Sequence, residues 1–453
     1  MNTHPTRPIY RVLLICTLLS VNAALGQSAA IRSGPMVGYG EMTEVMLWIQ
    51  LTGEGTVQYR YWPEGQKQHA DKSKTMKATA ENEFIVHTLV TGLDEGKKFE
   101  YEVLVNGKVA KRGNRLVFQT QPLWQWRKDP PVFSVALGSC VYVNDSLSDR
   151  PGRPYGDEYG IFTAIARKQP DLMLWLGDNT YYREIDWTSE ARMRQRNAHT
   201  RALPEIQSIL SASHNYAIWD DHDYGPNDAD RTFNLRREAL ETFTLFWANH
   251  TYGLDEVPGI FSRFVWGDVE FFLLDDRYHR SPNRVPDTPG KQVFGPGQLQ
   301  WLKESLISSD APFKIVASGN QMLNPISSHE SFAKYSHEQR ELLGWIKEQK
   351  IAGVVFLSGD RHHTELIKIE DSTFYPLYDF TSSPLTSGLG NPEHELDNPE
   401  RVAGTLVRDK RNFGLLKFDG PRTNRRLTME CYDSGDSLRW TRTVMAKDLI
   451  PKE

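Results

Sequence analysis

The chain has 453 residues, 25% of them charged and 39% hydrophobic, with 12 Trp, 18 Tyr and 20 Phe. That length exceeds one ordinary domain, and so much aromatic material excludes a disordered or fibrous chain. A formal net charge of -5 and the lack of a Lys/Arg block exclude an electrostatic footprint for nucleic acid.

Residues 1–26 read as a signal peptide. Arg7 and Arg11 precede an apolar run over 12–19, and Ala24 and Gly26 supply small residues where a signal peptidase reads. The run is too short to cross a bilayer as a helix. Bulky Ile15 before Cys16 argues against a lipoprotein cleavage site, and no adjacent Arg pair marks the twin-arginine route. No later segment reaches 18 apolar residues, so a periplasmic or secreted protein without a transmembrane segment is expected. Removal of the leader leaves Cys140 and Cys431, which an oxidising compartment would by default pair.

Residues 30–122 read as all-β. The runs 43–50, 55–62 and 98–105 alternate apolar and polar residues, and Asn106-Gly107 is a strong hairpin signal. Gly92-Leu93, Phe99-Glu100-Tyr101 and a closing Phe118-Gln119-Thr120 together resemble a fibronectin type III sandwich. Pro122 and then Asp129-Pro130-Pro131 mark a linker.

From 132 to 440 strands and helices alternate. Buried strands are expected over 132–137, 172–176, 216–219, 271–274, 314–317 and 354–357. Helices are expected near 161–168, 188–210, 231–249, 297–307 and 337–349, with mostly β structure after 365. Five of these strands run out into ligand-type residues: Gly138-Ser139-Cys140, Gly177-Asp178, Trp219-Asp220-Asp221-His222-Asp223, Ser318-Gly319-Asn320-Gln321 and Ser358-Gly359-Asp360-Arg361-His362-His363. Ligands of α/β sheets bind outside the carboxyl ends of strands, so these five segments are expected to converge.

The ordered set GSC at 138–140, GDxxY at 177–181, WDDHD at 219–223 and GDxH at 359–362 resembles the alkaline phosphatase D (PhoD) branch of the calcineurin-like metallophosphatases. The resemblance implies a four-layer α-β-β-α sandwich over 132–440, preceded by the β-sandwich of 30–122. It also implies two or more metals. Cys140, Tyr181 and His362 match the ligands of a first metal, ferric iron in the family, and Asp178 matches the carboxylate bridging both metals. Asp221 and Asp360 match ligands of a second metal, Ca²⁺, Mn²⁺ or Mg²⁺, with Asn320 or Gln321 in the slot of a further ligand. His222 matches the His that holds the phosphate and protonates the leaving group.

The donor chemistry agrees with that division. Thiolate, phenolate and imidazole suit a trivalent or transition metal, whereas carboxylates and an amide oxygen suit a hard divalent cation. Arg277, in Asp275-Asp276-Arg277, could reach the phosphate with a bidentate fork or pair with Asp275. Asp223 could orient His222, ligate a further calcium or be a surface acid. His363 is read as a neighbour pointing away, and Thr381-Ser382-Ser383-Pro384 as a segment near the site. A thiolate on a metal is protected from oxidation, so no Cys140–Cys431 disulfide is expected.

The function expected is an exported, metal-dependent phosphoesterase that hydrolyses phosphomonoesters, phosphodiesters or both with metal-activated water. Two other readings compete: a phospholipase or teichoic-acid-type phosphodiesterase, and a surface-binding protein whose phosphatase domain is inactive. A monomer acting on a small phosphoester is expected.

Overall fold

A computed structural model describes residues 29–326 and 330–452; the signal peptide expected over 1–26 lies outside the described residues. The first strands are β1 (Ile31–Gly40), β2 (Glu44–Leu51), β3 (Gly55–Pro63), β4 (Asp71–Lys72), β5 (Met76–Ala78), β6 (Ile85–Thr91), β7 (Lys98–Val105), β8 (Lys108–Ala110) and β9 (Val117–Gln119). There follow β10 (Phe133–Gly138), α1 (Ile161–Arg167), β11 (Leu172–Leu176), α2 (Glu190–Arg201), α3 (Gln207–Leu210), β12 (His214–Ile218), α4 (Asp221–Tyr224) and α5 (Arg236–Phe246). Next come β13 (Ser262–Trp266), β14 (Val269–Leu273), α6 (Gly295–Ile307), β15 (Phe313–Ala317), α7 (Ser336–Glu348) and β16 (Val354–Ser358). The chain ends with β17 (Glu365–Ile369), β18 (Leu377–Thr381), β19 (Asn412–Asp419), β20 (Arg426–Asp433) and β21 (Leu438–Met445).

These elements make a mixed α/β fold with several sheets. Nine strands form one sheet in the order β21-β20-β19-β10-β11-β12-β1-β2-β6, and six form another in the order β13-β14-β15-β16-β18-β17. Strands β10, β11 and β12 run parallel, as do β14, β15, β16 and β18. Each of β11, β12, β15 and β16 is buried along its whole length, and for that reason β11 and β16 read as nearly continuous apolar runs. Aromatic side chains join the two sheets. Tyr216 stacks on Phe264 at 3.7 Å between ring centroids, Phe271 and Phe313 meet Phe418, and Phe380 meets Trp440.

The N-terminal strands differ from the self-contained fibronectin-like sandwich expected for them. Their outer sheet, built on β4-β3-β7-β8, does pack its Val57, Tyr59 and Val103 against Val45, Leu47 and Ile49 of β2. The facing strands β1, β2 and β6, however, continue the nine-stranded sheet, with Val37 of β1 paired in parallel to His214 of β12. Joining there satisfies backbone groups that a separate sheet would leave on an open edge. Further bonds cross the same boundary: the Tyr101 hydroxyl donates to the Ser211 carbonyl at 3.1 Å, and the Gln119 amide donates to Asp171 at 2.8 Å. Among the described residues no helix is long and apolar enough to cross a membrane.

Candidate metal centre

The carboxyl ends of β10, β11, β12 and β16 meet in one place. Cys140 follows β10, Asp178 follows β11, Asp220 and Asp221 follow β12, and Asp360 and His362 follow β16. Ligand atoms of Cys140, Asp178 and His362 all lie within 4.8 Å of one another. The same holds for Asp178, Asp221 and His222, and for Asp178, Asp220 and Asp360. Asp178 belongs to all three groups, the arrangement a carboxylate shared between two cations requires.

Glycine and backbone strain make this convergence possible. A Cβ on Gly359 would stand 2.4 Å from the Leu176 carbonyl oxygen and 2.7 Å from Ser139 Cβ, so only glycine lets the end of β16 touch those of β11 and β10. The next residue, Asp360, adopts φ 62°, and Cys140, Asp178 and His362 adopt 62°, 52° and 55°. Left-handed backbone at non-glycine residues costs on the order of 1–3 kcal/mol each, and such residues gather at functional sites. Four of the six clustered donors named above after their strands share this conformation, which aims their side chains inward from the strand ends.

The contacts are close. Cys140 Sγ lies 3.6 Å from Asp178 Oδ2 and accepts from the Ser383 hydroxyl at 3.2 Å. Ser383 in turn accepts from the His362 backbone N–H at 2.9 Å, so the 381–384 segment braces two donors at once. Tyr181 Oη sits 3.2 Å from His362 Nε2, and Tyr155 Oη 3.2 Å from His362 Nδ1. The His222 ring stacks on Tyr181 at 4.3 Å, and its backbone N–H donates to Asp178 at 3.2 Å.

Electrostatics show what this cluster needs. Burial, then the charges of Asp221, Cys140, Asp223 and Asp360, pushes the Asp178 carboxyl well above the usual carboxylate range. Burial, then the Asp360 charge, pushes the Cys140 thiol up to about 11, and burial pushes Asp360 up to about 6. Packing so many acidic donors together out of water is unfavourable unless cations compensate them. Buried Asp220 Oδ2, Asn179 Oδ1 and His222 Nδ1 have no hydrogen-bond partner among the described residues. This donor set fits metal: Cys140, Tyr181 and His362 could hold a soft or trivalent ion, and Asp220, Asp221 and Asp360 a hard divalent one, with Asp178 between.

Other expected site residues are placed differently. Arg277 does not reach open space; it is fully buried, bonding Asp220 through Nε at 2.6 Å and Glu330 through Nη2 at 2.5 Å. Its local partner Asp275 instead accepts from the Arg277 backbone N–H and from Trp219 Nε1. Asp223 does not bond His222. It closes a capping box with Asp220 at the start of α4 and accepts from the Asn179 backbone and side chain at 3.0 and 2.7 Å. The Asn320 carbonyl oxygen is turned to Arg280 at 2.6 Å, and Gln321 bonds Glu365 and Thr381. His363 faces Glu365, with 3.4 Å between Nε2 and the carboxylate. Cys140 and Cys431 are both free and buried.

Sequence reasoning did not single out Asp220, Arg280, Glu330 or Tyr155. The doubled Asp220-Asp221 was a signal for the first. Nothing local marks Arg280 or Glu330, whose 2.9 Å ion pair joins distant segments.

Comparison with known proteins agrees with this architecture. Residues 151–424 match the family model described as PhoD-like phosphatase, and residues 28–122 match one described as a domain of unknown function, DUF7800. Alkaline phosphatase D of Bacillus subtilis (strain 168) is 23% identical over 374 residues, which is 70% of this chain and 60% of that relative's length. The solved structure of PhoD matches with a TM-score of 0.72 at 18% identity, over 90% of this chain and 91% of that one. A purple acid phosphatase, PPD1, from yellow lupin (Lupinus luteus) seeds matches with a TM-score of 0.65 at 13% identity, over 92% and 75%. These two likenesses concern the fold. Because the family model spans well over half of the sequence, this chain belongs to the PhoD-like phosphatase family.

Proposed function

We propose that the chain is an exported, metal-dependent phosphoesterase acting on phosphomonoesters, phosphodiesters or both. The observation that carries this reading is the sharing of Asp178 among three donor groups at converging strand ends. Membership of the family and the likeness to Alkaline phosphatase D support it. Export rests on the sequence of residues 1–26.

In this reading Cys140, Tyr181 and His362 hold a first metal, Asp221, Asp360 and Asp220 a second, and Asp178 bridges them. Ferric iron at the first and calcium, manganese or magnesium at the second fit the donors. Bound metals supply positive charge to the phosphoryl oxygens and lower the pKa of a water. His222 stands beside Asp178 and Asp221 with a free ring nitrogen, suited to hold the phosphate and protonate the leaving group. Arg277 acts through Asp220, fixing its carboxylate and balancing its charge.

Metal analysis of purified protein, paired with a panel of phosphate mono- and diesters under defined metals, tests the reading. Bound metal with ester hydrolysis is expected. Metal-free protein without hydrolysis under any metal would instead leave a binding protein with an inactive centre.

A further inference from the structure

Two cavities meet at His222. The larger, about 530 Å³, runs over Asp221, Asp360 and His362 and belongs to the centre already described. The smaller, about 310 Å³, shares Tyr155, His222 and Asn227 with it and is otherwise walled by Tyr142, Arg150, Arg153, Arg183 and Trp187, among others.

Charge in this smaller cavity is unbalanced. Acids nearby already have partners: Asp149 pairs with Arg196 at 3.2 Å and accepts from the Tyr142 hydroxyl at 2.6 Å, Asp186 pairs with Arg196 and Arg192, and Glu184 pairs with Arg150 at 2.7 Å. Among the described residues no carboxylate pairs with Arg183 or Arg153. Arg183 is only 8% exposed. Its Nε donates to the Tyr142 hydroxyl at 2.9 Å, and its guanidinium lies over the rings of Tyr142 and Tyr155 at 4.7 and 5.9 Å. A buried guanidinium fixed through Nε by the Tyr142 hydroxyl and packed beside two rings, with its outer nitrogens lacking an anion, is pre-oriented for a bidentate oxyanion.

We propose that this cavity is a subsite for a second anionic group, a carboxylate or a phosphate, carried on the leaving group. The substrate class is then a phosphoester whose alcohol portion is itself anionic. The position follows from His222, which borders the cavity and faces the leaving group in the phosphoesterase reading on which this inference rests. Tyr142, Tyr155 and Trp187 would cover the body of that group, while Arg183 and Arg153 take its charge.

Three alkyl esters of similar leaving-group basicity provide the test on the metal-loaded full chain: propyl phosphate, 3-phosphooxypropanoate and propane-1,3-diyl bisphosphate. Expected is a kcat/KM advantage of about tenfold for an anionic ester, the scale of one charge-assisted hydrogen bond, expressed mainly in KM and shrinking with added salt. The carboxylate and bisphosphate arms separate the two anion chemistries. Arg183→Gln should remove most of the advantage. Arg153→Gln, at an exposed side chain, should reduce it severalfold and serves if the buried variant does not fold. No preference in the wild type, or a preference untouched by salt and by Arg153→Gln, overturns the subsite. If none of the three esters is hydrolysed, the phosphoesterase reading itself fails. Calorimetric binding of the same esters then judges the subsite separately, and equal affinity for all three rejects it.

Discussion

The hydroxyl of Tyr181 lies 3.2 Å from Nε2 of His362, although Tyr181 follows a strand of the nine-stranded sheet and His362 a strand of the six-stranded sheet. The candidate centre is therefore made by the packing of two sheets, and neither sheet alone holds a complete donor set. Variants that change charge at the junction should act on metal binding and on stability together, and those that change only the reacting face should not.

Asp178→Asn tests the junction. Its carboxylate is the donor common to three groups, so its loss should lower the occupancy of both metals and the activity in parallel. Elemental analysis beside turnover measures this; two full metals with normal turnover would remove the bridging role.

His222→Ala is expected to behave differently, because its ring nitrogen lies beside the cluster and its backbone N–H, which the variant keeps, supplies the bond to Asp178. Metals should remain and turnover should fall by about 10²–10⁴-fold, the usual contribution of a general acid. The deficit should shrink on nitrophenyl esters, which need less protonation. Equal losses on good and poor leaving groups would argue for a purely structural histidine.

Arg277→Gln separates a phosphate ligand from a structural counter-ion. In the structure Arg277 is buried against Asp220 and Glu330, so removing its charge should destabilise the fold by about 3–5 kcal/mol. Urea unfolding reads this. Unchanged stability with a raised KM would restore the direct phosphate contact that the sequence alone suggested.

The pH response of chelated protein follows from the raised carboxyls. Burial holds Asp360 near 6, above its ordinary 3.8, and pushes Asp178 well above the usual carboxylate range. A raised folded-state pKa stabilises the protonated fold, so this contribution is full below about 3.8 and is lost as pH rises through about 6. Metals compete with those protons, so the gap in Tm between metal-loaded and chelated protein should widen from about pH 5 to pH 8. Scanning calorimetry at both values checks it, and a narrowing gap would contradict the assignment of these carboxylates.

Thiol counting on denatured, unreduced protein lacking residues 1–26 should find two free thiols. Cys140 sits among the donors, while Cys431 lies on β20 opposite Gly414 and Trp440. A Cys140–Cys431 disulfide would contradict the proposed role of Cys140 as a metal ligand.

Much of this protein is written locally. Largely apolar runs of four to six residues leading into Gly and a polar donor marked β10, β11, β15 and β16, because a strand buried on both faces admits few polar residues, and the donors Cys140, Asp178, Asp360 and His362 stand just beyond the ends of β10, β11 and β16. What the sequence left hidden was partnership. Strand β1, with Gly34-Pro35 and no alternation, carried no legible strand signal, and its burial comes from lying between β12 and β2. Likewise Arg277 and Asn320 occupy strand-end positions that look catalytic, yet a charge or amide out of water bonds whichever group the packing brings within reach. For Arg277 that group is Asp220, 57 residues earlier, and for Asn320 it is Arg280, 40 residues earlier. Local sequence determined which residues carry chemistry, because strand ends and glycine turns are short-range properties. Tertiary packing decided which of those residues face the centre and which hold it in place, because hydrogen bonds and ion pairs between distant segments exist only once both sheets are stacked.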